Sequence, residues 1–116
     1  MIDTEKKILS YQNDTLVKSF PVGVGHEKSQ TPIGTYKIKN KILNPKSYRY
    51  NIPSDSYGSA WLGLTIPGYG IHGTNEPSSI GKNKSLGCIR MLNEDILELY
   101  KYIKTNTKVI IFTQVR

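Results

Sequence analysis

The chain carries one cysteine, Cys88, and two histidines, His26 and His72. His72 opens the run His72-Gly73-Thr74, and Cys88 stands within Ser85-Leu86-Gly87-Cys88-Ile89-Arg90, a short polar stretch later. A thiol at its ordinary pKa of about 8.5 is largely protonated at neutral pH, and a neighbouring imidazole is the usual means of making it reactive. The pair therefore fits a thiol nucleophile and its base. The competing reading is a packed core cysteine, since free Cys is among the most buried residue types. Gly87 and Gly73 leave the backbone bare beside each group, and Ser85 and Arg90 flank the thiol with polarity that a core cysteine would not favour. On residue chemistry alone both readings stand. A metal site of His26, His72 and Cys88 would need ligands at unrelated spacings plus a fourth group, and no Cys-x-x-Cys or His-Glu-x-x-His pattern occurs, so neither a metal nor another cofactor is expected. His26 reads as a surface residue in the loop before Thr31-Pro32.

Ile71-His72-Gly73-Thr74-Asn75, Ser79-Ile80-Gly81 and Ser85-Leu86-Gly87-Cys88-Ile89-Arg90-Met91 together resemble the signature of the L,D-transpeptidase catalytic domain, the YkuD family. Thr31-Pro32-Ile33-Gly34-Thr35-Tyr36-Lys37-Ile38 resembles that family's Thr-Pro-x-Gly segment, and Thr107-Lys108-Val109-Ile110-Ile111 resembles its closing strand. The resemblance implies a mostly β fold, an L,D-transpeptidase-like β-sandwich or barrel with one main helix packed against it. It implies that residues 1–116 form a single catalytic domain acting on peptidoglycan stem peptides as a monomer. The activity implied is 3-3 cross-linking by cysteine acyl transfer from a tetrapeptide stem with release of D-alanine; hydrolysis of the same bond by an L,D-carboxypeptidase, or a non-catalytic peptidoglycan-binding module, are the alternatives.

By the same resemblance Cys88 is the nucleophile, His72 the base, and the Gly73 carbonyl the group that orients the imidazole. Backbone N–H groups at Gly87 and Cys88 are the expected oxyanion donors, with Ser85 supporting the site. Arg90, Thr74 and Tyr57 are candidate substrate contacts, Arg90 either through a stem-peptide carboxylate or as a structural ion-pair partner. Leu86 stands where some family members have His, which removes a second imidazole beside the thiol.

Length and composition agree with one domain. At 116 residues the chain can bury a core without staples, and a single Cys permits no intrachain disulfide. No apolar run is long enough for a signal peptide core or a membrane span. The resemblance nonetheless implies a cell-wall location, reached by a leader or fused partner outside this stretch or by a spore-associated route. The net charge of +7 suits anionic wall polymers, but the lysines are scattered without an aromatic platform, so nucleic acid is not an expected partner.

Elements that could position these residues follow from periodicity. Ile8–Tyr11 and Thr15–Phe20 read as a hairpin around Gln12-Asn13-Asp14, and Pro21–Gly25 continues its second strand. Thr35–Lys39 alternates as a half-buried strand, Ala60–Ile66 reads as a buried one, and Lys108–Thr113 as a closing one. Trp61 reads as core. Residues 44–59 lack a period and read as a long loop whose Tyr48, Tyr50 and Tyr57 could line a groove. Ile96, Leu99, Tyr100 and Ile103 recur at helical spacing behind Asn93, which reads as the N-cap, and Asn106 suits a left-handed turn after the helix.

Overall fold

A computed structural model describes residues 1–45, 57–85 and 87–113. Among the described residues nine strands run in chain order: β1 (Ile2–Asp3), β2 (Ile8–Gln12), β3 (Val17–Gly25), β4 (Gly34–Leu43), β5 (Ala60–Leu64), β6 (Gly70–His72), β7 (Asn83–Ser85), β8 (Ile89–Met91) and β9 (Lys108–Phe112). Among the same residues one α-helix, α1 (Asn93–Tyr102), lies between β8 and β9. The sheet order is β2-β1-β9-β4-β5-β6-β8-β3-β7, and β2 also pairs with β3. That extra pairing closes eight strands into a barrel-like ring, because β3 gives its first half to β2 and Val22-Gly23 to β8. Closure is the surest way to leave no unpaired sheet edge. The fold is thus mostly β with one helix, as the sequence indicates.

The hairpin forms where expected. Asn13 Oδ1 accepts the backbone N–H groups of Thr15 and Leu16, at 2.9 and 2.8 Å, so an Asx turn sets the β2–β3 register. Asn106 takes the left-handed conformation, φ 71°, in the turn that leads into β9.

Alternation decides which side chains enter the ring. Along β5, Ala60, Leu62 and Leu64 are sealed inside, and so are Val22 of β3, Ile71 of β6, and Ile89 and Met91 of β8. Helix α1 packs on β5 and β6 and inserts Ile96 and Leu99, with Ile103 following just beyond it. Each such buried aliphatic side chain contributes about 1.5–3 kcal/mol. Glu94 and Asp95 in the first turn and Lys101 in the last agree with the helix dipole.

The helix begins differently from the sequence reading. Leu92 is the N-cap, no side chain caps the end, and Asn93 is the first helical residue. Its amide is drawn away from the helix by partners in the site described next.

Candidate functional site

The site is built on the outer face of the ring, at β5, β6, β8 and β3. In the parallel pair β6–β8, Ile71 stands beside Ile89 and His72 beside Arg90. Both isoleucines point into the core, so pleat alternation turns Gly70 and His72, and likewise Cys88 and Arg90, to the opposite face. Trp61 pairs with His72 from β5 and Gly23 pairs with Arg90 from β3, which carries the same face outward on both sides. One face of four adjacent strands therefore collects the imidazole, the thiol and the guanidinium.

His72 is only 4% exposed although it faces outward. The Trp61 ring stacks on it, 5.6 Å between centroids and 16° between planes, and the Tyr57 ring lies 4.8 Å from it. Its Nδ1 makes a short contact with the Gly73 carbonyl oxygen. A carbonyl can only accept, so Nδ1 carries the proton and Nε2 is left as the basic nitrogen. Burial lowers the His72 pKa from 6.5 to about 4; the Gly73 carbonyl opposes the shift, and the Arg90 charge adds to it.

Cys88 is half-buried, and its thiol donates to the Gly68 carbonyl at 3.8 Å. Burial pushes the thiol pKa up, while a backbone contact at Gly70 and the Arg90 charge pull it back. Both shifts favour the uncharged form, of the thiol and of the imidazole. Proton transfer would then accompany attack on a carbonyl.

The turn that carries Cys88 is tied by Ser85. Its Oγ–H donates to the Cys88 carbonyl at 2.6 Å and its oxygen accepts the Gly87 N–H at 3.1 Å. The Gly87 N–H, one of the two groups expected as oxyanion donors, is engaged by the Ser85 Oγ. Gly87 also has a conformational part. Its φ is 122°, and a Cβ on it would lie 2.5 Å from the Tyr69 ring. The backbone of His26 also donates to the Ser85 carbonyl at 2.9 Å, so the loop of the second histidine braces the same turn.

Thr74, expected as a substrate contact, is 2% exposed and its Oγ accepts the Glu76 N–H at 2.9 Å. The hydroxyl is used to shape the turn after His72. Arg90 is half-buried and its guanidinium lies 3.8 Å from the Glu76 carboxylate, an ion pair with one exposed partner. Tyr57 covers the imidazole. Tyr48 and Tyr50 lie outside the described residues. Among the described residues no group of three or more His, Cys, Asp or Glu side chains could hold a metal ion.

Two residues of the site escaped the sequence reading. Trp61 read as core, yet it is the slab against His72; the outward phase of Trp61 and Gly63 against inward Ala60, Leu62 and Leu64 is the signal that marks it. Asn93 read as a cap, yet its Oδ1 accepts the Ser59 N–H at 3.0 Å and its Nδ2 donates to the Thr74 carbonyl at 3.2 Å. It fastens the strand that ends the long loop to the turn after His72. Gly58 and Gly73 leave room for it, since a Cβ on either would come within 2.1 Å of Asn93 Oδ1.

The closed β ring thus bears a cysteine and an aromatic-clamped histidine on one outer face. The chain matches the L,D-transpeptidase catalytic domain, YkuD, over residues 1–111, and it belongs to that family. The YkuD protein of Bacillus licheniformis is 46% identical over 99 residues, covering 85% of this chain and 55% of that protein. The YkuD protein of Bacillus subtilis is 42% identical over 99 residues, covering 85% of this chain and 56% of that protein. The chain thus spans little more than half the length of these relatives. An L,D-transpeptidase of Enterococcus faecium superposes with a TM-score of 0.80 at 22% identity, over 96% of this chain and 48% of that one. L,D-transpeptidase 3 of Mycobacterium tuberculosis gives 0.79 at 18% identity, over 96% and 59%. These two likenesses bear on the fold.

Proposed function

We propose that residues 1–116 form a single catalytic domain that makes 3-3 cross-links in peptidoglycan. Cys88 Sγ attacks the carbonyl between the third stem residue and the terminal D-alanine. The thiol proton passes to His72 Nε2 and on to the departing D-alanine amine as the peptide carbon–nitrogen bond breaks, leaving a thioester. An amine of a neighbouring stem then attacks the thioester, gives its proton to His72, and the cysteine thiol is regenerated. The Cys88 N–H stabilises the oxyanion in both halves, a role often worth about 3 kcal/mol per donor. Arg90 supplies positive charge beside the thiol and Tyr57 covers the imidazole. No helix among the described residues is long and apolar enough to cross a membrane; the substrate assigns the domain to the cell wall, where it acts as a monomer.

The observation that carries this reading is the His72 arrangement. The Nδ1 contact with the Gly73 carbonyl fixes the tautomer, and the aromatic clamp keeps the ring neutral, so that a base is ready on the face that bears the only thiol. The test is incubation of the pure protein with tetrapeptide muropeptides, with products read by mass spectrometry beside Cys88→Ala. Cysteine-dependent loss of D-alanine with dimer formation is the expected result. Tripeptide alone would assign a carboxypeptidase, and unchanged stems bound equally by Cys88→Ala would reduce the domain to a binding module.

A further inference from the structure

A cavity of about 150 Å³ opens on the same outer face, walled by Lys39, Tyr57, Trp61, Gly68 and Tyr69 among others. Tyr57 and Trp61 are the rings that clamp His72, and the Gly68 carbonyl receives the Cys88 thiol. The Tyr69 ring lies where a Cβ on Gly87 would fall. The cavity is therefore bounded by the supports of both the base and the nucleophile. At about 30 Å³ per water it has the volume of roughly five waters, which suits one small residue of a peptide.

Its charge comes from a bulge. The β4–β5 ladder slips between Ile38 and Asn40, so that Lys39 is an extra residue. Ile38 is sealed in the core and Asn40 is packed against Gly63, while Lys39 between them stays exposed at the cavity wall. Bulges re-aim side chains in this way and concentrate next to active sites. The ion pairs among the described residues are Lys18–Glu98 and Arg90–Glu76, so no carboxylate there answers Lys39. The rest of the wall is uncharged. An unanswered cation on such a wall favours an anionic group.

The reaction brings one to this side of the thiol. His72 Nε2 gives its proton to the departing amine, so the leaving residue lies beside the imidazole that Tyr57 and Trp61 hold. In a tetrapeptide donor that residue ends in a carboxylate, one residue beyond the attacked carbonyl and about 3.5 Å farther along the chain. Arg90 is the other cation near the thiol, and Glu76 already stands beside it. We propose that the cavity is the subsite for the terminal residue of the acyl donor, whose carboxylate pairs with the Lys39 ammonium. The subsite rests on the transpeptidase reading above and makes Lys39 a specificity-determining residue, one that favours donors ending in a free carboxylate.

The test compares Cys88 acylation by a tetrapeptide donor with acylation by the same peptide ending in a carboxamide, read by mass spectrometry, with melting temperature recorded in parallel. On wild type the carboxamide is expected to raise KM about tenfold, the scale of one charge-assisted hydrogen bond, with kcat within threefold. Lys39→Met removes the ammonium from an exposed position, so it should melt with wild type, show the raised KM for the parent donor, and no longer distinguish the two donors. Lys39→Arg should restore the preference. A donor amidated at an internal carboxylate should behave on wild type as the parent does. The subsite is overturned if wild type uses acid and carboxamide alike, if Lys39→Met keeps the preference, as it would were Arg90 the partner, or if internal amidation alone reproduces the defect. Failure of wild type to be acylated by any tetrapeptide would overturn the transpeptidase reading itself, a result separate from equal use of the two donors.

Discussion

Asn93 joins the helix to the site, and its removal separates stability from chemistry. Asn93→Ala deletes two hydrogen bonds, to the Ser59 N–H and the Thr74 carbonyl, together worth about 2 kcal/mol. Alanine returns about 0.6 kcal/mol in helix propensity, so the net loss is about 1.5 kcal/mol. An unfolding entropy of about 2.1 cal/mol/K per residue over a chain of this length converts that to a melting temperature lower by about 6 °C. Asn93→Asp is the informative partner. It keeps an acceptor for Ser59 and gains about 0.3–1 kcal/mol at the helix N-terminus, so its melting temperature should stay within a few degrees of wild type. Its carboxylate, however, faces the Thr74 carbonyl and pushes the Gly73–Thr74 segment away from its place beside His72. Acylation of Cys88 by a tetrapeptide should fall about tenfold in both variants, in keeping with the sensitivity of such reactions to displacements of about 1 Å. Scanning fluorimetry and mass-resolved acylation rates measure the two quantities. If Asn93→Asp acylates at the wild-type rate, or if Asn93→Ala melts with wild type, Asn93 is not the fastener of the His72 turn.

The remaining expectations concern the thiol, the imidazole and Gly87. The His72 pKa, lowered from 6.5 to about 4, means the unfolded chain binds more protons between those values, so stability rises with pH across that window and the full contribution of about 3 kcal/mol is lost below pH 4; denaturant titrations should show this segment flattened in His72→Gln, and an unchanged slope would contradict the assignment. Gly87→Ala must adopt φ 122° and displace Tyr69, which should cost about 2 kcal/mol or more; adding Tyr69→Ala should relieve only the clash, and full recovery of the melting temperature would show that the backbone conformation carries no cost. Cys88→Ala should abolish acylation while melting within a few degrees of wild type, measured on the same samples.

Much of the ring was legible because its longer strands alternate. The β2–β3 hairpin, β4, β5, β9 and α1 each carry enough residues for period to show, and Asn13 marks the turn. Strands β6, β7 and β8 are three residues each, Gly-Ile-His, Asn-Lys-Ser and Ile-Arg-Met, too short for a period to show; the β6–β8 pairing is imposed by Ile71 and Ile89 finding one core. The same tertiary origin hides the roles of Trp61 and Asn93, whose partners are distant in sequence. The residues beside His72 and Cys88 stand out in the sequence by type, but the hydrogen bond by which Ser85 engages the Gly87 N–H does not.

The order of the closed ring also fixes where the polypeptide could be cut and rejoined. Strand β1 runs parallel to β9, with Ile2 beside Ile111 and Asp3 beside Phe112, so the first and last described strands adjoin. Counted around the eight-membered ring, β1 and β9 stand diametrically across from β6 and β8. A linker joining β9 to β1 with new ends opened in the β2–β3 turn would keep the β1–β9 pairing, and that wall lies across the ring from the strands that carry His72 and Arg90. A tether fixed to the β1–β9 wall would therefore leave the face that bears His72 and Cys88 turned away from the support.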